Sequence, residues 1–138
     1  MRSNVNLSTI ARTAGCCGVE RMIVCGNGRI DRTIARDGAT GVRLEVRNSL
    51  PPVLRKLRAE GHRLVGVEQT TGSSNLHTYA FPRRVALVIG NERTGLTPEE
   101  LELMDDCVEI PVWGLPYSFN VATATSMALY EYCRQYPM

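Results

Sequence analysis

The chain reads as an α/β domain built on a mostly parallel sheet with helices on both faces. Two observations carry that reading. The candidate strands, Met22 to Cys25, Leu64 to Val67, Val85 to Ile89 and Val108 to Ile110, are continuously apolar rather than alternating, the pattern of strands covered on both sides. Between them, apolar residues recur at helical spacing, as the crossover connections of parallel strands require. With 138 residues, 43% of them hydrophobic and 22% charged, residues 1–138 have room for a single domain with a real core and no second one.

Taken in order, Leu7, Ile10, Ala11 and Ala14 mark the apolar face of a first helix, which Gly15 and Gly18 close ahead of the strand Met22 to Cys25. A polar turn at Gly26-Asn27-Gly28-Arg29 and a second turn region from Arg36 to Gly41 follow. Asn48-Ser49 supplies a helix cap with proline behind it, and the helix carrying Val53, Leu54 and Leu57 runs to about Glu60. Leu64 to Val67 is a compact strand between Gly61 and the polar loop Gln69 to Ser74, and Val85 to Ile89 is another. Thr97-Pro98-Glu99-Glu100 has the chemistry of a helix start: a threonine cap, proline in the first turn, and a glutamate placed to reach back to the cap. That helix is expected to end near Asp105. Val108 to Ile110 is stopped by Pro111, and a loop through Ser118 delivers the chain into a long terminal helix. Val121, Ala124, Ala128, Leu129 and Tyr132 form the apolar face of that helix. No repeat or linker interrupts this order.

Composition narrows the function classes. A net charge of +2 does not by itself imply nucleic acid. Of the 16 basic residues all but Lys56 are arginine, which suits bidentate phosphate contact, although a base-composition bias of the source genome accounts for the same count. Cys16, Cys17, Cys25, Cys107 and Cys133 are odd in number and hold no C-x-x-C pair, so they are expected to be reduced and mostly buried rather than disulfide-bonded or zinc-bound. His62 and His77 lack a spaced partner, and no metal is expected. Met1 to Asn6 lack a leader's apolar run, and no stretch reaches the roughly 18 apolar residues of a membrane span, so a cytoplasmic protein with no membrane partner is expected.

Three polar clusters stand at strand ends or helix starts, where open α/β sheets bind ligands. In Asn6-Leu7-Ser8-Thr9-Ile10-Ala11-Arg12, Ser8 and Arg12 lie one turn apart and off the apolar stripe, where Arg12 serves a cleft or is simply solvated. Gly90-Asn91-Glu92-Arg93-Thr94-Gly95 follows an apolar strand, and its glycines let a ligand approach the backbone or merely turn the chain. No G-x-G-x-x-G is present, so a nicotinamide or flavin oxidoreductase is a distant reading. In Ile110 to Asn120 a strand end, an apolar loop and a helix start bear Ser118 and Asn120, either of which could act on a ligand or cap the helix.

The order N-L-S-x-I-x-R-T, then G-N-E-R-T-G-L, then E-I-P-x-x-G-x-x-x-S-x-N-V resembles the three motifs of the SpoU/TrmH family of SPOUT methyltransferases, and the motifs span nearly the whole chain. Gly66-Val67-Glu68-Gln69-Thr70, Cys107-Val108-Glu109-Ile110-Pro111 and Tyr130-Glu131-Tyr132 are most similar to the catalytic domain of eukaryotic enzymes that methylate a D-loop guanosine ribose in tRNA.

The resemblance implies an RNA ribose 2′-O-methyltransferase that uses S-adenosylmethionine, acts on tRNA and works as a homodimer with a site completed across the interface. It also implies a deep C-terminal trefoil knot, which periodicity alone could not reveal. By the same resemblance Arg12 is the catalytic arginine, and Asn6, Glu92, Ser118 and Asn120 are the other functional polar positions. Thr70, Ile89, Gly90, Ile110, Leu115 and Phe119 belong to the loops that hold the cofactor. A guanidinium is a donor and a poor base, so Arg12 is expected to grip the phosphate beside the target ribose and stabilise the developing alkoxide. Ribosomal RNA is the alternative substrate, and a catalytically silent dimeric RNA-binding module is the alternative of another class. The chain departs from the family in two ways. The family usually has a strand ahead of its first motif, which here begins almost at Met1, so either the start codon is misplaced or the sheet lacks that strand. Phe119 also stands where leucine is common.

Overall fold

The structure, a computed structural model, describes residues 4–26 and 41–138. The turns expected at Asn27 to Arg29 and Arg36 to Thr40 lie outside the described residues.

Helix α1 (Asn4–Cys16) buries Leu7, Ile10, Ala11 and Ala14, as their spacing predicts. Ser8, expected off the apolar stripe, is instead fully buried. Its hydroxyl donates to the carbonyl of Asn4 at 2.5 Å, so the helix's own first turn supplies the partner that burial demands. Gly18, with φ at 72°, turns the chain out of the helix toward strand β1 (Arg21–Cys25).

β1 pairs in parallel over five residues with β2 (Arg43–Arg47). The guanidinium of Arg21 locks the pair, its Nε lying 2.5 Å from Glu45 Oε2 and its Nη2 donating to Glu45 Oε1 at 3.1 Å. β2 was not anticipated. Its alternation of charged and apolar residues breaks the rule of continuous apolar runs, and as a flanking strand it is only half covered.

Helix α2 (Leu50–Ala59) starts after Ser49, which caps it without a side-chain hydrogen bond; prolines stand in its first turn, where no backbone donor is needed. Strands β3 (Arg63–Val67), β4 (Ser74–Asn75), β5 (Val85–Ile89) and β6 (Asp106–Glu109) form a second, fully parallel sheet in the order β4-β6-β3-β5. The expected single sheet is therefore, among the described residues, two.

Helix α3 (Pro98–Leu103) carries the predicted capping box, with Thr97 Oγ1 accepting from the Glu100 amide and the Glu100 carboxylate from the Thr97 amide. It stops at Leu103 rather than near Asp105 because Asp105 is already engaged by β3: the Asp105 amide donates to the Leu64 carbonyl at 2.8 Å, and its carboxylate accepts from the Leu64 amide at 2.7 Å. β6 accordingly begins earlier than the expected Val108.

Helix α4 (Val121–Gln135) closes the chain. Successive residues of β3 point to opposite faces. Leu64 joins Leu54 and Leu57 of α2, Val88 and Leu96, while Val65 joins Leu76, Phe81, Val108 and Ala128 of α4. Helices thus cover both faces, as the unbroken apolar strands require.

The cysteines are free, Cys16 is exposed and the other four are half-buried, so the expectation of mostly buried thiols is corrected. Burial, and then the neighbouring Cys133, push the Cys17 thiol up to about 11. No helix among the described residues is long and apolar enough to cross a membrane.

Candidate functional site

The carboxyl ends of the parallel strands meet the amino ends of α1 and α4. Asn120 is the N-cap of α4, its Oδ1 accepting from the Ala122 amide at 2.8 Å and the Thr123 amide at 3.4 Å, while its Nδ2 donates to Asn6 Oδ1 at 3.3 Å. The capping role and the polar contact are thus both realised, on opposite ends of one amide. Residues more than a hundred positions apart are joined there, and the pairing continues down the two helices through Ser126 Oγ to Thr13 Oγ1 at 3.2 Å.

Beyond β5 the chain forms a tight loop. The Gly95 amide donates to the Asn91 carbonyl at 2.8 Å, the Asn91 amide to the Gly95 carbonyl at 3.3 Å, and Asn91 Oδ1 accepts from the Arg93 amide at 2.8 Å. A Cβ on Gly90 would lie 2.4 Å from the Gly95 carbonyl carbon, and Gly95 itself has φ at 68°. Glycine is required at both positions. The loop is held from below by Glu68, whose Oε2 accepts from the Leu96 amide at 2.8 Å.

Ile89, Gly90, Glu92, Ser118 and Phe119 line one cavity of about 350 Å³, together with Glu68, Val67, Val121, Ala124 and Thr125. Five of the residues expected from the motifs therefore converge. Glu92 turns its Oε2 away from solvent. The lining is apolar on the strand and helix sides and polar on the loop side, and its charged residues are Glu68, Glu92 and Arg93. That combination suits a ligand that carries charges of both signs beside a flat apolar part, at the lower end of the volumes that small-molecule sites occupy.

Four expected residues stand elsewhere. Arg12 is exposed on α1 and does not line the cavity. Thr70 sits in a turn closed by Ser73, whose hydroxyl donates to the Thr70 carbonyl at 2.7 Å and is also 2.8 Å from Glu109 Oε1. Ile110 packs against the Val65–Phe81 core, and Leu115 is exposed. The loop carrying Leu115 also shows Trp113 and Tyr117 to solvent, at 86% and 69% exposure, a concentration of exposed apolar side chains in one loop.

Sequence reasoning missed Glu68 as a cavity residue. The available signal was a carboxylate directly after an unbroken apolar strand. A larger cavity of about 910 Å³ shares Ile89, Gly90, Asn91, Thr94, Gly95 and Thr125 with the smaller one but touches nothing in the loop from Pro111 to Asn120. Glu92, Ser118 and Phe119 line the smaller and not the larger. Among the described residues no group of three or more His, Cys, Asp or Glu is placed to hold a metal.

Residues 1–130 match the profile of the SpoU rRNA Methylase family. The chain is 36% identical over 136 residues to the mouse tRNA (guanosine(18)-2′-O)-methyltransferase TARBP1, an alignment covering 94% of this chain and 9% of the mouse protein. The crystal structure of the Aquifex aeolicus TrmH/SpoU tRNA modifying enzyme superposes with a TM-score of 0.90 at 28% identity, over 98% of this chain and 71% of that one. The SpoU methyltransferase AviRb of Streptomyces viridochromogenes, in complex with the cofactor AdoMet, superposes with a TM-score of 0.82 at 30% identity, over 98% of this chain and 57% of that one. The chain thus spans only part of the length of the proteins it matches.

Proposed function

The chain belongs to the SpoU rRNA Methylase family, and from that premise we propose that it is the catalytic domain of an S-adenosylmethionine-dependent RNA ribose 2′-O-methyltransferase acting on tRNA in the cytoplasm. The observation that carries the proposal is the convergence of Ile89, Gly90, Glu92, Ser118 and Phe119, from separate motifs, on one cavity. The residues fit the cofactor: Glu68 and Glu92 could offset its positive charges and Arg93 could take its carboxylate, while Phe119, Val121 and the Gly90–Gly95 backbone offer an apolar wall and a polar edge to a nucleoside. When bound, S-adenosylmethionine supplies a methyl group on a sulfonium, ready for in-line attack.

The chain's own residues do the rest. Glu68 holds the Asn91–Gly95 loop in place through the Leu96 amide. The Asn6–Asn120 contact fixes the start of α1 against the start of α4, so that Arg12, two turns along α1, points from a rigid base. Arg12 grips the phosphate beside the target ribose and stabilises the developing alkoxide, and the hydroxyl proton leaves through that phosphate or water. Because Arg12 does not reach its own chain's cavity, the site is completed by a second copy. The exposed Trp113, Leu115 and Tyr117, gathered in one loop, offer an apolar surface for that pairing.

The C-terminal trefoil knot belongs to the same proposal. Its support is that β6 inserts between β3 and β4, while the end of α4 is tied to the segment joining β4 to β5: Tyr132 Oη donates to the Arg83 carbonyl, Gln135 Nε2 to the Tyr79 carbonyl, and Tyr136 Oη to the Phe81 carbonyl. Transfer RNA is favoured over ribosomal RNA by the tRNA guanosine specificity in the name of the mouse relative.

The test is incubation of the protein with methyl-labelled S-adenosylmethionine and either tRNA or ribosomal RNA, followed by nucleoside mass spectrometry. The expected product is 2′-O-methylguanosine in tRNA. Bound RNA with no methylated nucleoside would instead establish the silent RNA-binding module.

A further inference from the structure

Helices α1 and α4 run side by side in the same direction, and polar groups join them at three levels. Asn120 Nδ2 donates to Asn6 Oδ1 at 3.3 Å where both helices begin, and Ser126 Oγ lies 3.2 Å from Thr13 Oγ1 half-way down. At the far end the rung is made of sulfur: the Cys133 thiol donates to the Cys17 carbonyl at 3.5 Å, across 116 positions of sequence. The two thiols also meet each other. Burial, then the charge of Cys133 and a hydrogen bond between the two side chains, push the Cys17 thiol up to about 11.

The remaining cysteines are placed differently. Cys107 packs against Gly66, a Cβ on which would lie 3.3 Å from its sulfur, and its neighbouring charges are Glu68 and Asp106. Cys25, at the end of β1, has Glu100 and Arg47 beside it. Cys16 is exposed and precedes Cys17 directly. Adjacent Cα atoms stand about 3.8 Å apart, short of the roughly 4.4–6.8 Å that a disulfide spans, so those two are poor partners.

We propose that Cys17 and Cys133 are an oxidisable dithiol, open at rest and closed into a disulfide by a small disulfide of the glutathione class. Cys17 is held protonated, so Cys133 reacts first: its thiolate attacks one sulfur of the reagent, and a mixed disulfide forms as one small thiolate leaves. Cys17 then gives its proton to water and attacks Cys133 Sγ, expelling the second small thiolate. In sum two protein thiols lose two electrons and two protons, and the reagent is reduced to two thiols. The new bond replaces the weak sulfur rung by a covalent one and closes a loop containing most of the chain, which restricts the unfolded state far more than the folded one. The inference is independent of the reaction assigned to the smaller cavity.

The test equilibrates the chain, and its Cys16→Ser, Cys17→Ser and Cys133→Ser variants, with glutathione disulfide in excess over glutathione. Open thiols are then capped with N-ethylmaleimide in urea, and the products are read by intact mass and peptide mapping. The parent is expected to lose the mass of two hydrogen atoms, to keep three of its five thiols open to capping, and to yield a peptide pair linked through Cys17 and Cys133. Its Tm is expected to rise by about 5 °C or more, reversed by dithiothreitol. Cys16→Ser keeps these changes, and Cys17→Ser and Cys133→Ser lose them. The parent alone decides the pairing, so the test holds even where a serine variant does not fold. Unreacted thiols, a lasting glutathione adduct with no link between the two cysteines, a link through Cys16, or bonds scattered among all five cysteines would each overturn the proposal.

Discussion

Gly90 and Gly95 sit in the same loop, yet alanine at the two positions meets different obstacles. At Gly95 the new methyl would press on Glu68 Oε2, the end of a flexible side chain, and would add the left-handed backbone penalty of about 1–2 kcal/mol. At Gly90 it would meet the Gly95 backbone, which cannot move without dismantling the loop. Urea unfolding is expected to show the larger loss for Gly90→Ala, with cofactor affinity abolished there and only weakened in Gly95→Ala; the reverse order would mean that the loop does not pack as described. Arg12 is argued to act on the reacting sugar and its phosphate rather than to hold the fold, since its side chain is exposed. Arg12→Ala is therefore expected to leave Tm unchanged and to lower the single-turnover methylation rate at saturating RNA by roughly a hundredfold. A loss confined to RNA affinity would remove Arg12 from the chemistry.

The terminal helix illustrates how one ion pair supports an element. Hydrogen bonds from Arg134, and then Gln135, hold the Glu131 carboxyl down to about 2 from its usual 4.5. Glu131 in turn orients Gln135, whose amide donates to the Tyr79 carbonyl and accepts from the Phe81 amide. A carboxyl depressed in the folded state contributes stability that is present above its unfolded value and lost as pH falls through the folded one. Glu131→Gln is therefore expected to lower Tm at pH 7 and to converge on the parent as pH falls from 4.5 toward 2, in thermal melts followed by circular dichroism. Parallel curves would show that the pair does not contribute to stability. Elements whose signals are local were legible in the sequence: the capping box at Thr97 and Glu100, and the apolar runs of β1, β3 and β5. β2 was not, because its stability comes from a neighbour some twenty residues away, with Arg21 clasping Glu45. Nor was Ser8, whose burial is permitted by a bond to its own helix that no polarity pattern reveals.

At the scale of the whole molecule the motifs pointed to residues that gather around one cavity but not to how they are brought there. Asn6 and Asn120 meet, and Glu92 and Ser118 share a wall, only because the strands align their carboxyl ends. Glu68 escaped notice because its partner, the Leu96 amide, belongs to another segment. Arg12 remains apart, which is the reason for invoking a second copy. The surface argued to receive that copy contains Trp113, the sole tryptophan in the chain, standing almost fully in water. The consequence is optical. An indole in water fluoresces toward the red, and its emission moves to shorter wavelength once water is stripped from it. Diluting the unlabelled protein from micromolar to nanomolar concentration is expected to redshift the emission as the dimer separates. A spectrum that stays fixed over that range, while sedimentation records dissociation, would place the contact on some other face.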